Sequence, residues 1–262
     1  ANLAFLIAPA CLNWEQILNS PLVPIASIMR NFILTLALLF SASSCDALLQ
    51  IAQESSSQME PSESEINRGI KEALEVGIRN AVSRSSQENG FYNNPLIKIP
   101  FPPEAERAAK TLRDLGMGNL VDQFVETLNH GAEQASAKAS PIFVDAIRSM
   151  TLQDVYGIWR GDANAATVYL RSKTEAQLKL AFKPVIDQAI QKVELTKYWQ
   201  PIASNYNRIP FVTPVNPDLS DYVMQETLNG LFVLLAEEEA KIRQDPAARV
   251  SAILQRVFGW KS

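Results

Sequence analysis

The sequence predicts an all-α fold, a single multi-helix bundle-like domain with two proline-rich extended straps. Three observations carry that prediction. Apolar residues recur at three- and four-residue steps in one segment after another, the spacing of a helix face. The sustained apolar–polar alternation of strands does not occur. Helix-starting residues such as Ser62, Thr151 and Asp162 stand directly before periodic segments.

The first helix follows Ser62-Glu63-Ser64-Glu65, a capping-box spacing. Ile66, Ile70, Leu74, Ile78 and Val82 then form a narrow apolar stripe over about five turns, with Ala73, Gly77 and Ala81 beside it. Residues 104–115 place Ala105, Ala108, Ala109, Leu112 and Leu115 on one face behind Pro103. Residues 119–137 do the same with Leu120, Val121, Phe124, Val125, Leu128, Ala132 and Ala135. Ser140-Pro141 opens a helix to Met150, and Thr151 with Asp154 opens another through Trp159. Asp162 is read as the cap of a helix through Thr167 and Leu170, and residues 175–193 as a separate helix adjusted at Pro184. A helix over 197–207 carries Trp199, Ile202 and Tyr206. The longest candidate is 218–244; its centre, Gly230 to Ala236, is apolar on every side and reads as the buried middle of the bundle. Asp245-Pro246 starts the last helix, with Val250, Ile253, Leu254, Val257 and Phe258 inward and Gly259 at its end.

Two connections break the pattern. Residues 90–103 (GFYNNPLIKIPFPP) and 207–218 (NRIPFVTPVNPD) share Ile-Pro-Phe, and their prolines force extended backbone. They read as rigid straps across the bundle, with a shared ligand or partner surface as the functional alternative.

Before this body lies Met29 to Ala47, MRNFILTLALLFSASSCDA. Its apolar block, Phe32 to Phe40, is far shorter than the roughly 20 residues of a membrane-spanning helix. Arg30 in front and small residues behind match a secretory signal. Ala42-Ser43-Ser44-Cys45 resembles the lipobox of bacterial lipoproteins, in which the Cys becomes an acylated N-terminus; Ala42 stands where Leu is usual. A plain signal peptide with Cys45 incidental, or a core helix, are the alternatives. The expected organisation is an upstream segment over 1–28, a signal over 29–44, a polar tether over 45–64 and the helical domain over 65–262. Cys45 would then anchor the chain to a membrane, facing the periplasm of a bacterial envelope. In lipoproteins of enteric bacteria, an Asp after the Cys, as with Asp46, tends to hold the protein at the inner membrane.

Composition excludes much familiar chemistry. The net charge is -4, and residues 1–44 contribute one acid, Glu15, and one base, Arg30, so residues 45–262 keep that balance. A mildly acidic protein with no obvious basic face makes a poor nucleic-acid binder, and no nucleic-acid partner is expected. The cysteines, Cys11 and Cys45, precede the body, and His130 is the single histidine. Thiolate nucleophiles, disulfides and two-histidine metal motifs are therefore absent from the body, and no cofactor is expected.

The candidate ligand residues are Tyr92, Asn93, Asp145, Arg148, Asp154, Asp162, Arg171 and Tyr222. The polar residues from Asp145 to Arg171 form the densest functional-looking cluster, although Asp145 and Arg148 suit an exposed pair and Asp154 and Asp162 suit helix starts. Tyr92 and Tyr222, with Asn93 nearby, could hydrogen-bond a small polar ligand between the straps. Gly116-Met117-Gly118 reads as a turn, His130 as solvated or capping, and Glu237-Glu238-Glu239 as a solvated face positioned to pair with Lys241 and Arg243.

The runs EINRGIKEALEVGIRNAV, GFYNNPLIKIPFP, SPIFVDAIRSMTLQDVYGIWRGDANAATVYLR and IPFVTPVNPDLSDYVMQETLNGLFVLLAEEEAKIRQDPAARVSAILQRVFG, in that order, resemble the bacterial family called domain of unknown function 4197. The resemblance covers about 66–259. It implies neither a reaction nor a ligand, but it implies a signal or lipoprotein leader, as Cys45 also suggests. The favoured expectation is a lipid-anchored binding or structural protein without catalysis, with an unidentified protein or small molecule as partner. The alternative is an envelope enzyme using Asp145 and Asp154 as acid and base, which needs both carboxylates at one pocket with at least one desolvated. A third reading, storage of an apolar molecule inside the bundle, needs a lined cavity.

Overall fold

Ser62 accepts a hydrogen bond from the Glu65 amide, and the Glu65 carboxylate reaches back to the Ser62 amide at 2.8 Å. This closed box starts α1 (Glu63–Ser86), whose apolar stripe is buried throughout. The computed structural model describes residues 59–192, 199–200, 203–204, 207–208, 210–211, 214, 216 and 218–260. The leader, Cys45, the start of the tether, most of the 197–207 segment and much of the second strap lie outside these residues.

A 3₁₀ turn at Pro103–Ala105 leads into α2 (Glu106–Asp114). Gly116, at φ 79°, then reverses the chain, with the Met117 amide bonded to the Leu112 carbonyl across the turn. The remaining helices are α3 (Gly118–Ser136), α4 (Ala139–Arg148), α5 (Leu152–Trp159), α6 (Ala165–Ile190), α7 (Leu219–Gln244) and α8 (Ala252–Gly259). No strand occurs among the described residues, and the domain is all-α. α7 packs on α1, α3 and α6, while α8 and α5 both lie on α1. Leu231, Phe232, Leu234 and Leu235 place the middle of α7 in the core, as its all-round apolar sequence requires; Val233 remains partly exposed.

Three expectations change. The helices expected at 162–170 and 175–193 are one helix, α6, because nothing between Leu170 and Glu175 breaks it and the buried Thr174 hydroxyl donates back to the Leu170 carbonyl. Pro184 is accommodated on the solvent side two turns before the end of α6, where its missing N–H leaves an exposed carbonyl. Asp162 does not cap α6; Asn164 occupies the cap position, and Asp162 supplies its carbonyl to the Ala165 amide. Pro246 starts a 3₁₀ turn (Pro246–Ala248), and Ser251 caps α8 afterwards, so Val250 falls between them and is 70% exposed.

Only the second half of the first strap is extended: residues 88–93 and 95–97 form turns closed by bonds such as that from the Asn94 amide to the Phe91 carbonyl, and from Ile97 the chain alternates. Ile97, Ile99 and Phe101 enter the core while Lys98 and Pro100 face water, as extended backbone dictates. Phe101 meets Phe124 of α3 and Trp199, with ring centroids 4.8 and 5.9 Å away.

Candidate functional site

The expected ligand residues are spread over the bundle. Asp145 and Arg148 form one exposed pair on α4 at 3.7 Å, 74% and 77% accessible. Arg148 also borders a shallow groove of about 370 Å³ with Glu75, Ile78, Arg79, Ser140 and Val144. Asp154 accepts from the Thr151 amide and hydroxyl at 2.9 and 2.7 Å, completing the capping box of α5. Those bonds hold its carboxyl below the ordinary range, aided by Lys173 and Tyr169. Burial, with Asp154 beside it, pushes the Tyr169 phenol up. Asp162 is exposed at the entry to α6.

Arg171 donates to Asn229 at 3.2 Å and lies 4.6 Å from the centre of the Phe232 ring, so it ties α6 to α7. Tyr222 donates to the Pro100 carbonyl at 3.3 Å, fastening α7 to the first strap. The Tyr92 ring sits under the Lys98 ammonium at 4.0 Å, and the Asn93 amide continues the turn by donating to the Asn89 carbonyl at 3.0 Å. The pairing the enzyme reading needs is not met by Asp145, which is exposed, or by Asp154, which is engaged as a cap.

The desolvated acids lie elsewhere. Glu239 of α7 receives the Ala166 amide at 3.0 Å, the Thr167 amide at 2.8 Å and the Thr167 hydroxyl at 2.7 Å, and Arg243 closes on it at 2.9 Å. A carboxylate from another helix thus caps the first turn of α6. Glu238 binds Asn80 at 2.8 Å, Arg84 at 3.1 Å and Lys241 at 2.6 Å, joining α7 to α1. Burial pushes its carboxyl up, but the bonds from Lys241 and Asn80 and the nearby cations prevail and hold it below its ordinary value. Glu133 of α3 accepts the Phe91 and Tyr92 amides at 3.0 and 3.2 Å and fixes the start of the first strap; His130 stands 3.9 Å from its other oxygen. The expected solvated face at 237–239 is therefore corrected: Glu238 and Glu239 are only 5% and 9% exposed, although the expected pairing with Lys241 and Arg243 is present.

Glu239 and Arg243 also border a cavity between α1, α7 and α8, lined mainly by Ile70, Leu74, Leu235 and Phe258. At about 30 Å³ it has room for roughly one water, too little for a stored apolar molecule. Among the described residues no cluster of three His, Cys, Asp or Glu side chains could hold a metal, and no helix is long and apolar enough to cross a membrane.

The model of the family described as protein of unknown function (DUF4197) matches residues 60–259. The chain belongs to this family. No curated protein and no solved structure matches it.

Inside the DUF4197 body, the buried acids carried a periodic signal that their charge obscured. Glu238 stands seven and three residues after Leu231 and Leu235, and Glu239 seven and four after Phe232 and Leu235, so helical spacing directs both toward the core. Asn129 stands four residues after Val125 and three before the buried Ala132, the same helical spacing. The ring cluster of Tyr156, Trp159 and Trp260 joins residues about 100 positions apart and has no local signal.

Proposed function

We propose that this protein is a lipid-anchored, non-enzymatic binding protein of the bacterial cell envelope, tethered through Cys45 with its helical body facing the periplasm. The observation that carries the non-catalytic part is the engagement of the desolvated carboxylates. Glu133, Glu238 and Glu239 are each committed to amides or cations that hold helices and strap together, an arrangement suited to a rigid scaffold rather than to proton transfer. The lipobox-like Ala42–Cys45 and the short apolar block before it support the anchor. Several acyl chains, each methylene giving roughly 0.8 kcal/mol on burial, suffice for stable attachment.

Growth with an alkyne-bearing fatty acid tests this reading. Label is expected on the wild-type protein and absent from Cys45→Ser, with the thermal unfolding of the body unchanged. Unlabelled wild type sinks the anchor.

A further inference from the structure

Helix α5 sends Val155 and Ile158 into the core, leaves Leu152 exposed and holds Tyr156 and Trp159 half-buried at the core's edge, the three at four- and three-residue steps, with the Trp159 indole N–H donating to the Val257 carbonyl at 3.4 Å. Leu152 is 46% exposed. Beyond the end of α8, Trp260 stacks on Trp159 with centroids 5.6 Å apart, and Tyr156 meets Trp159 edge-on at 6.1 Å. The Arg160 guanidinium lies 5.3 Å from the centre of Trp159 and 5.7 Å from that of Tyr156. It pairs with Glu60 at 3.2 Å, and Glu60, Trp159, Arg160 and Trp260 border a surface groove of about 550 Å³.

This combination suits the boundary between water and lipid. Tryptophan and tyrosine rings have an apolar body and a polar edge and gather at that depth. A guanidinium recognises phosphate through paired N–H donors. The start of the described chain lies at the same end of the molecule. Met59 and Glu60, where the described chain begins, are both exposed here, and Glu60 belongs to the groove itself. Cys45 precedes Met59 by 14 residues, a length that spans at most about 50 Å. Acyl chains on Cys45 would therefore keep Met59 and the groove beside it within about 50 Å of the membrane.

We propose that the surface made by Leu152, Tyr156, Trp159 and Trp260 rests on the phospholipid bilayer that holds Cys45, with Arg160 exchanging Glu60 for a lipid phosphate. The proposal rests on the anchor reading above. The acyl chains supply the attachment and the surface sets the orientation. Tethering makes the second contact intramolecular, so a weak intrinsic affinity is enough.

The test uses the acylated wild-type protein in vesicles of phosphatidylethanolamine and phosphatidylglycerol in equal amounts, with bromine on the upper acyl chains. Trp159 and Trp260 are expected to be quenched, while the buried Trp199 serves as background. Tyr156→Glu and Leu152→Glu alter partly exposed side chains and are expected to float with the vesicles as wild type does but to lose most of the quenching. For the surface contact, roughly a tenfold weakening is expected, equivalent to about 1.4 kcal/mol. Wild type that does not float overturns the anchor and this proposal with it. Wild type that floats unquenched, or variants quenched like wild type, overturn the proposal alone. Self-association on the vesicle that shields the tryptophans from bromine assigns the surface to a second copy instead and also overturns it.

Discussion

Asn129 holds both polar groups of Ile99. The Ile99 amide donates to Asn129 Oδ1 at 2.8 Å, and Asn129 Nδ2 donates to the Ile99 carbonyl at 2.8 Å. Nδ2 also donates to the Val125 carbonyl at 2.7 Å. Both residues are fully buried, so one side-chain amide does for the first strap what a neighbouring strand would do in a sheet. The strap can enter the core because its backbone is satisfied there.

Asn129→Leu fills the same space but leaves the Ile99 N–H and C=O without partners. Each buried orphan costs about 1–3 kcal/mol, so a loss of about 2–5 kcal/mol is expected in urea unfolding. Asn129→Asp keeps the acceptor and loses the donor, and it is expected to be destabilised as well. A change below about 1 kcal/mol for Asn129→Leu contradicts this role.

Glu239 gives a second prediction of the same kind. Glu239→Gln retains one acceptor but turns an NH₂ group toward donors already aimed at the carboxylate. A loss of about 2–4 kcal/mol is expected, with faster hydrogen exchange at Ala166 and Thr167. Thr167→Val removes one donor and is expected to cost about 1 kcal/mol. Wild-type exchange rates at those two amides in Glu239→Gln refute the tertiary cap.

These two residues also show what was legible in advance. Local signals were reliable: Ser62 with Glu65 and Thr151 with Asp154 close their boxes, and the stripe from Ile66 to Val82 is buried as its spacing requires. Signals supplied from a distance were not. Asp162 has the type and position of a local cap for α6, whereas Glu239, 73 positions from Ala166, provides the acceptor. The two helices expected on either side of residues 171–174 are one, because the Ser172 and Thr174 hydroxyls bond within the helix and leave α6 continuous. The candidate ligand residues share a polar chemistry, and the fold gives them separate partners, near in sequence for Asp145 and distant for Arg171 and Tyr222.

Gly69 supplies a third prediction. A Cβ built there would lie 2.6 Å from Val257 Cγ2, so α8 sits against bare backbone of α1. Gly69→Ala is expected to lose about 1–3 kcal/mol by overpacking, despite the better helix propensity of Ala. Val257→Ala opens that space, so the double variant is expected to be more stable than the two single losses added together. Strict additivity in a double-mutant cycle argues against this contact.

Acid stability isolates Glu238. Its folded-state carboxyl lies below the ordinary value of 4.5, so the unfolded chain binds the proton more tightly. The sign follows: the contribution is complete above pH 4.5 and is lost as pH falls through the lower folded value. Glu65 and Asp154 are also lowered, by their caps Ser62 and Thr151, and they lose stability in the same direction. Comparing wild type with Glu238→Gln removes their share, because both proteins retain them. The variant is expected to be less stable at neutral pH and to show a shallower fall in urea midpoint on acidification. Lys241→Met and Asn80→Leu each remove a bond that lowers the Glu238 carboxyl, so each is expected to flatten the acid limb while leaving the carboxylate in place. Parallel acid limbs for wild type and Glu238→Gln refute the assignment.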